Sequence, residues 1–309
     1  MGRTFYGGFA LLFYILFLTA LTWITYWHCI NAGFVSDDIE GLQGYDGKLK
    51  KFDYGHLNKW LLYKLLDKSP RRNHLFSIFL HNANVVLLFS FLITFIPLKL
   101  AFYTCVLFAI HPVCIQSVGW ISGRGYPISL FFCLLGFNWV AIAQNRSIFA
   151  PEALQSLIFG LGVVGYGILY YISTTAQFAV LATFALQAFL GNYFLAIMGF
   201  IISLMAGLGI IKEVIGLRTN VFKEQNLALS TKFKPQKIIV AIKSLAYYTR
   251  LCIFPKRLGL YHTYEYHYSE KTEKEDKWFW LGFIILLGFI AGFWFGNNII
   301  RFAIVWYFA

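Results

Sequence analysis

Residues 11–30, LLFYILFLTALTWITYWHCI, are followed at once by the polar run NAGFVSDDIE over 31–40. A helix of about 20 apolar residues, rising 1.5 Å per residue, crosses a hydrocarbon core of about 30 Å. The stretch therefore predicts a first transmembrane helix, with the adjacent carboxylates Asp37 and Asp38 near the membrane surface. No small-residue cleavage site follows Arg3 and the apolar run, so we expect the helix to be retained.

The rest of the chain continues this pattern. It is 309 residues long, 59% hydrophobic, 20% aromatic and only 13% charged. Recurrent apolar runs predict an all-α polytopic integral membrane protein with about 8–9 transmembrane helices plus interfacial helices, in one domain over residues 1–309. The predicted spans are 7–30, 75–97, 98–118, 127–144, 155–173, 176–191, 193–211 and 278–297.

Two apolar runs near the end of the chain do not fit a simple span. Residues 238–254 are interrupted by Lys243 and Arg250, which predicts an interfacial helix lying along the headgroups. Residues 299–309 are too few to cross a bilayer. We therefore expect C-terminal helices that are missing here or are supplied by a second polypeptide.

The charge is concentrated in three polar stretches. Residues 31–73, 212–237 and 255–277 hold most of the 26 basic and 14 acidic residues, and they share one membrane face if the helix over 238–254 lies flat. That face is the predicted functional surface. The net charge of +12 suits anionic lipid headgroups or a phosphorylated lipid substrate, and no nucleic-acid partner is expected in a membrane protein of this composition. Positive-inside counting places the face in the cytoplasm, although long loops follow that rule weakly.

Several polar residues lie within predicted spans. His81 and Asn84 are in the second span, and His111 precedes Pro112 in the third. Because intramembrane polar groups are costly, they either line a cavity close to the charged face or form hydrogen bonds between helices. The five cysteines lie in or near apolar runs without metal-ligand spacing, so they are expected to be packing residues and no metal site is predicted.

The third span is followed by Ser-Gly-Arg-Gly over 122–125, where Arg124 is the only charge. A guanidinium on a glycine turn suits bidentate binding of a phosphate, with snorkelling toward water as the alternative. The other substrate-binding candidates are Arg71, Arg72, Lys256 and Arg257, which could equally contact lipid headgroups, and His262, in a stretch over 261–268 that suits either sugar recognition or an aromatic membrane belt.

Four segments in order resemble the transmembrane O-mannosyltransferase family that carries tetratricopeptide repeats, among the type C glycosyltransferases. They are FVSDD over 34–38, HLFSIFLHNAN over 74–84, FAIHP over 108–112 running to SGR over 122–124, and YY over 247–248 running to FPKRL over 254–258. The repeats are absent. The chain also departs from the family at Tyr126, where an acidic residue is usual, and near Tyr261 and His262, where an aspartate is often found.

The resemblance implies a type C glycosyltransferase-like fold and transfer of a mannose-like sugar from a polyprenyl-phosphate carrier to a hydroxyl of an acceptor protein or glycan, with inversion. Asp37 or Asp38 would be the general base and Arg124 would hold the departing phosphate. No resident cofactor is firmly implied, and a requirement for a divalent metal is left open. The expected partners are membrane lipids, the lipid-linked donor and the acceptor.

The family topology makes 31–73 the first extracytoplasmic loop and puts 212–277 on the same side, in a prokaryotic plasma membrane or the endoplasmic reticulum. This opposes the positive-inside count, and we follow the family. The alternative function is a non-catalytic, glycosyltransferase-like membrane subunit of a larger complex. A transporter would need ionisable residues spread through mid-membrane, whereas here they cluster at one face.

Overall fold

A computed structural model describes residues 8–35, 38–39, 60, 62–145, 236–255 and 277–308. Regular structure in these ranges is helical, without strands. The chain divides into two compact units, Met1–Phe200 and Ile201–Ala309, and a single domain over 1–309 stays a prediction. The predicted spans over 155–211 lie outside the described residues, as do Asp37, Lys256, Arg257 and His262.

The first unit begins with two long helices. Helix α1 (Gly8–Tyr26) continues as a 3-10 helix over Trp27–Asn31, in agreement with the predicted first span. Helix α2 (Pro70–Leu92) begins earlier than predicted, because the Ser69 side chain caps the Arg72 amide at 3.4 Å and Pro70 suits the first helical position.

The third predicted span is broken. Helix α3 (Leu98–Ile110) ends at His111, which adopts the extended backbone favoured before a proline. A 3-10 turn over Pro112–Cys114 and helix α4 (Ile115–Gly119) follow at a bend of 46°. A second 3-10 turn, Ile121–Arg124, leads into helix α5 (Gly125–Asn145).

Helix α2 is central in this unit, since it contacts α1, α3, α4 and α5. Ala101, Cys105 and Ala109 recur every four residues on α3 and form one buried stripe, which packs with Leu18 of α1 and Phe89 of α2. The cysteines follow the expected packing role: Cys29, Cys105 and Cys133 are buried, Cys114 is half-buried, and only Cys252 is exposed. This core places the polar ends of α1, α2 and α4 at one end of the unit.

Within the described residues, three helices are long and apolar enough to cross a membrane: Phe9–Asn31, Pro70–Leu92 and Lys277–Phe295. The bent pair of α3 with the segment Pro112–Gly119 passes the same test as a fourth. Large apolar side chains such as Phe9, Phe13 and Leu16 are exposed on α1, as expected of a surface that faces lipid. The chain is therefore a helical membrane protein.

The second unit contains helices α6 (Gln236–Ile253), α7 (Lys277–Phe295) and α8 (Asn298–Phe308). Helices α6 and α7 pack antiparallel, since Ile242 meets Gly282 while Arg250 lies over the Trp278 ring at 5.5 Å. Arg301 of α8 donates to the Phe293 carbonyl at 2.9 Å. The predicted helix over 238–254 is confirmed, and its position at the membrane interface stays a prediction.

Candidate active site

Asp38 is fully buried and joins two distant parts of the first unit. Its Oδ1 accepts from the Ser122 amide at 2.6 Å and the Ser122 hydroxyl at 2.5 Å. Its Oδ2 accepts from the amides of Val35 and Ile121, each at 3.4 Å. Because an ionised carboxylate offers about four lone-pair positions, these bonds occupy its accepting capacity. Asp38 therefore anchors the segment after α1 to the turn before α5.

That turn depends on a glycine. A Cβ atom on Gly123 would lie 2.9 Å from the Trp120 ring and 3.2 Å from the Gln116 carbonyl oxygen, closer than a side chain tolerates. Gly123 thus permits a close approach of the backbone to its neighbours. It allows a tight 3-10 turn that delivers Ser122 and Arg124 to the same region as Asp38.

Arg124 is buried in the connector between α4 and α5, with 3% of its surface exposed. One guanidinium nitrogen, Nη2, donates to Asn73 Oδ1 at 2.9 Å, and the group lies 5.5 Å from the centre of the Phe76 ring. Burial lowers the pKa of Arg124 to about 10, and the nearby Asp38 carboxylate opposes that shift. The group remains a cation at neutral pH. Because its head is buried, the snorkelling alternative is wrong.

The buried polar atoms without a hydrogen-bond partner among the described residues include Arg124 Nη1 and, on the first two turns of α2, His74 Nδ1 and Ser77 Oγ. His74 and Ser77 have no exposed surface, and His74 is within electrostatic range of both Asp38 and Arg124. Each unsatisfied buried polar group costs about 1–3 kcal/mol. Such a cluster is typical of a site that binds a polar ligand.

The histidines and the asparagine predicted at the site are held by backbone groups. His81 donates to the Ala109 carbonyl at 3.4 Å, and Asn84 donates to the Pro127 carbonyl at 2.9 Å. The Val113 amide donates to His111 Nδ1 at 3.3 Å. The bonds of His81 and Asn84 are to backbone groups of α3 and α5, and they match the predicted alternative of hydrogen bonding between helices. The bond to His111 is local to the break.

The remaining candidates are less informative. Arg71 and Arg72 are exposed in the first turn of α2, so they lie beside the buried cluster rather than in it. Asn73, Ser77 and Ser122 do not stand out in the sequence from other polar residues. His74 is visible as a polar residue at the start of a span, but nothing in the local pattern ranks it above His81.

Chemically, the cluster combines a buried cation, a carboxylate and uncharged hydrogen-bonding groups. In the part of the chain that the structure describes, no group of three or more His, Cys, Asp or Glu residues could hold a metal ion. An anion bearing hydroxyl groups matches these properties best, because the guanidinium can pair with the charge and the other groups with hydroxyls.

No protein family, characterised protein or solved structure was found to match this chain.

Proposed function

We propose that this protein is a type C-like membrane glycosyltransferase that moves a mannose-like sugar from a polyprenyl-phosphate carrier to an acceptor hydroxyl at the extracytoplasmic face. A polytopic fold of about 8–9 spans belongs to the same proposal. The observation that carries it is that buried Arg124 lies near Asp38, in the segment that follows the first membrane helix, and keeps one guanidinium nitrogen without a partner among the described residues.

The position of the cluster supports a lipid-linked donor. Asp38 follows the 3-10 extension of α1, and Asn73 and His74 occupy the first turn of α2. Both helices are long enough to cross a bilayer, so their ends lie near the interface where a lipid phosphate ends. A buried cation at that depth can pair with the phosphate while the prenyl chain remains in the hydrocarbon.

In the proposed reaction, the acceptor oxygen attacks the anomeric carbon from the face opposite the phosphate. The bond between that carbon and the phosphate oxygen breaks, and its electron pair leaves with the polyprenyl phosphate. A carboxylate takes the hydroxyl proton. The leaving phosphate gains one negative charge, and the Arg124 guanidinium stabilises that charge.

The two adjacent carboxylates would have different roles in the reaction. Asp38 Oδ1 and Oδ2 each accept two hydrogen bonds, so Asp38 has little capacity left to accept a proton from a substrate. We therefore assign Asp38 to positioning the turn that carries Arg124. Asp37, which lies outside the described residues, is the proposed general base.

Separate measurements of donor binding and turnover test this division. Asp37→Asn should bind polyprenyl-phosphate mannose normally but lose transfer. Asp38→Asn should lose both, and its free energy of unfolding should fall by on the order of 3 kcal/mol, because an amide cannot accept all four bonds. Asp67→Asn is the control, since Asp67 is exposed and Asn tolerates its φ of 58°.

Normal turnover by both Asp37→Asn and Asp38→Asn would remove the catalytic proposal. The second candidate function, a non-catalytic lipid-binding subunit, is favoured by the occupied lone pairs of Asp38. It requires donor binding by the wild-type protein without transfer to any acceptor hydroxyl supplied.

A further inference from the structure

The hydrogen bond of His74 determines which of its ring nitrogens carries the proton. Nε2 lies 3.5 Å from the Gly33 carbonyl oxygen, which can only accept, so Nε2 is the donor. In a neutral imidazole the other nitrogen is then an acceptor with a free lone pair. That atom, Nδ1, is buried and has no hydrogen-bond partner in the part of the chain that the structure describes.

The surroundings of His74 Nδ1 restrict what can bind it. His74 has no exposed surface, and it directly follows Asn73, whose Oδ1 accepts from Arg124 Nη2 at 2.9 Å. Arg124 Nη1 also has no partner among the described residues. A bare phosphate can pair with the guanidinium. Its deprotonated oxygens, however, have no hydrogen to donate to Nδ1. A ligand that satisfies both the Arg124 guanidinium and His74 Nδ1 needs an anionic group and an adjacent hydroxyl.

We infer that His74 Nδ1 accepts a hydrogen bond from a hydroxyl of the glycosyl group while Arg124 binds the phosphate of the same donor. The inference rests on the proposed function and adds a residue that contacts the sugar rather than the polyprenyl phosphate. His74 is thereby a specificity-determining residue. His81, on the same helix, is the contrast: its Nε2 is also bonded to a carbonyl, that of Ala109, but its Nδ1 is not one of the buried nitrogens without a partner.

The test compares two probes on the full chain in lipid nanodiscs: a polyprenyl phosphate, and the same lipid carrying mannose. In His74→Phe the dissociation constant for the mannosyl lipid should rise about three- to tenfold, the effect of one lost neutral hydrogen bond, with little change for the sugar-free lipid. His74→Gln, which retains a donor and an acceptor, should recover part of the loss. Arg124→Ala should weaken both probes.

The His81→Phe variant is the matched control, and it should leave the ratio of the two dissociation constants unchanged. A second measurement uses the wild-type protein, so it does not depend on whether a His74 variant folds. The ¹⁵N resonance of His74 Nδ1 in the wild-type protein should report an unprotonated nitrogen that shifts with the mannosyl lipid but not with the sugar-free lipid.

Two results would overturn the role of His74 alone: an equal rise in the dissociation constants of both lipids in His74→Phe, or an Nδ1 resonance that does not shift when the mannosyl lipid is added. Wild-type protein that binds neither lipid would contradict the proposed function, and the His74 inference with it. The two failures are therefore distinguishable.

Discussion

At the scale of single residues, burial separates groups that look alike in sequence. Arg124 and Arg72 are both arginines at the end of a predicted span, yet one is 3% exposed and the other lies on the surface. Among the described residues, the buried guanidinium bonds Asn73 and keeps one nitrogen without a partner. A buried cation interacts with an anion far more strongly than an exposed one, because water screens the exposed pair. Arg124 is thus the stronger candidate for a phosphate ligand.

Replacing Arg124 tests this. Arg124→Lys keeps the charge but cannot bond Asn73 and a phosphate with one planar group, so donor affinity should fall by about 1–3 kcal/mol. Isothermal titration with polyprenyl-phosphate mannose measures it. The control is Lys99→Ala, since Lys99 is exposed in the first turn of α3. An unchanged dissociation constant in Arg124→Ala would exclude Arg124 from the site.

At the scale of helices, the break between α3 and α4 is where side chains of neighbouring helices form hydrogen bonds to free carbonyls. The α3 helix ends before Pro112, which leaves carbonyls without helical partners. His81 of α2 bonds the Ala109 carbonyl, and the Tyr26 hydroxyl of α1 donates to the His111 carbonyl at 3.3 Å. Unsatisfied carbonyls are expensive inside a membrane, so these bonds hold the bend whose second limb leads to Arg124.

Close helix packing in the second unit gives a prediction with an internal control. A Cβ atom on Gly282 would overlap the Ile242 carbonyl, whereas Gly288 of the same helix has nothing within 4 Å of that position. Gly282→Ala should force α6 and α7 apart and lower the free energy of unfolding by about 1–3 kcal/mol.

The matched Gly288→Ala variant should be neutral or raise stability by up to about 1 kcal/mol, because alanine is the better helix former. Thermal unfolding of the two variants in the same detergent compares them. Equal stability would show that α6 and α7 do not meet at Gly282.

At the scale of the whole molecule, orientation decides whether the proposed chemistry can occur. The candidate site follows the first membrane helix, and an extracytoplasmic transferase requires that end of the helix to lie outside. The predicted family resemblance would favour this orientation, and the positive-inside count opposes it. The sequon Asn145-Arg146-Ser147 follows α5 on the opposite face if α5 crosses the membrane.

Glycosylation mapping in a eukaryotic membrane tests the orientation. Asn145 should remain unmodified, and an acceptor sequon engineered near Gly47 should gain a glycan, read as a mass shift that a glycosidase removes. Asn145→Gln is the control for a glycan at the native sequon. A modified Asn145 together with a bare engineered site would put Asp37 and Asp38 in the cytoplasm and exclude an extracytoplasmic glycosyltransferase.

The sequence by itself determined the membrane class and the positions of most described helices. Both depend on local properties: the length of apolar runs, the proline before a bend, and the serine that caps α2. The fourfold spacing of Ala101, Cys105 and Ala109 likewise encodes one buried face of α3.

Which polar groups meet depends on the tertiary packing. His74 and His81 lie two turns apart on one helix, and each has its Nε2 bonded to a carbonyl, so the local pattern cannot show that only the Nδ1 of His74 is a buried nitrogen without a partner among the described residues. Likewise, nothing local to Asp38 indicates that Ser122 and Ile121 fill its lone pairs. These contacts join residues far apart in the chain, and they exist because the packing of α1, α2 and α4 brings the connecting turns together.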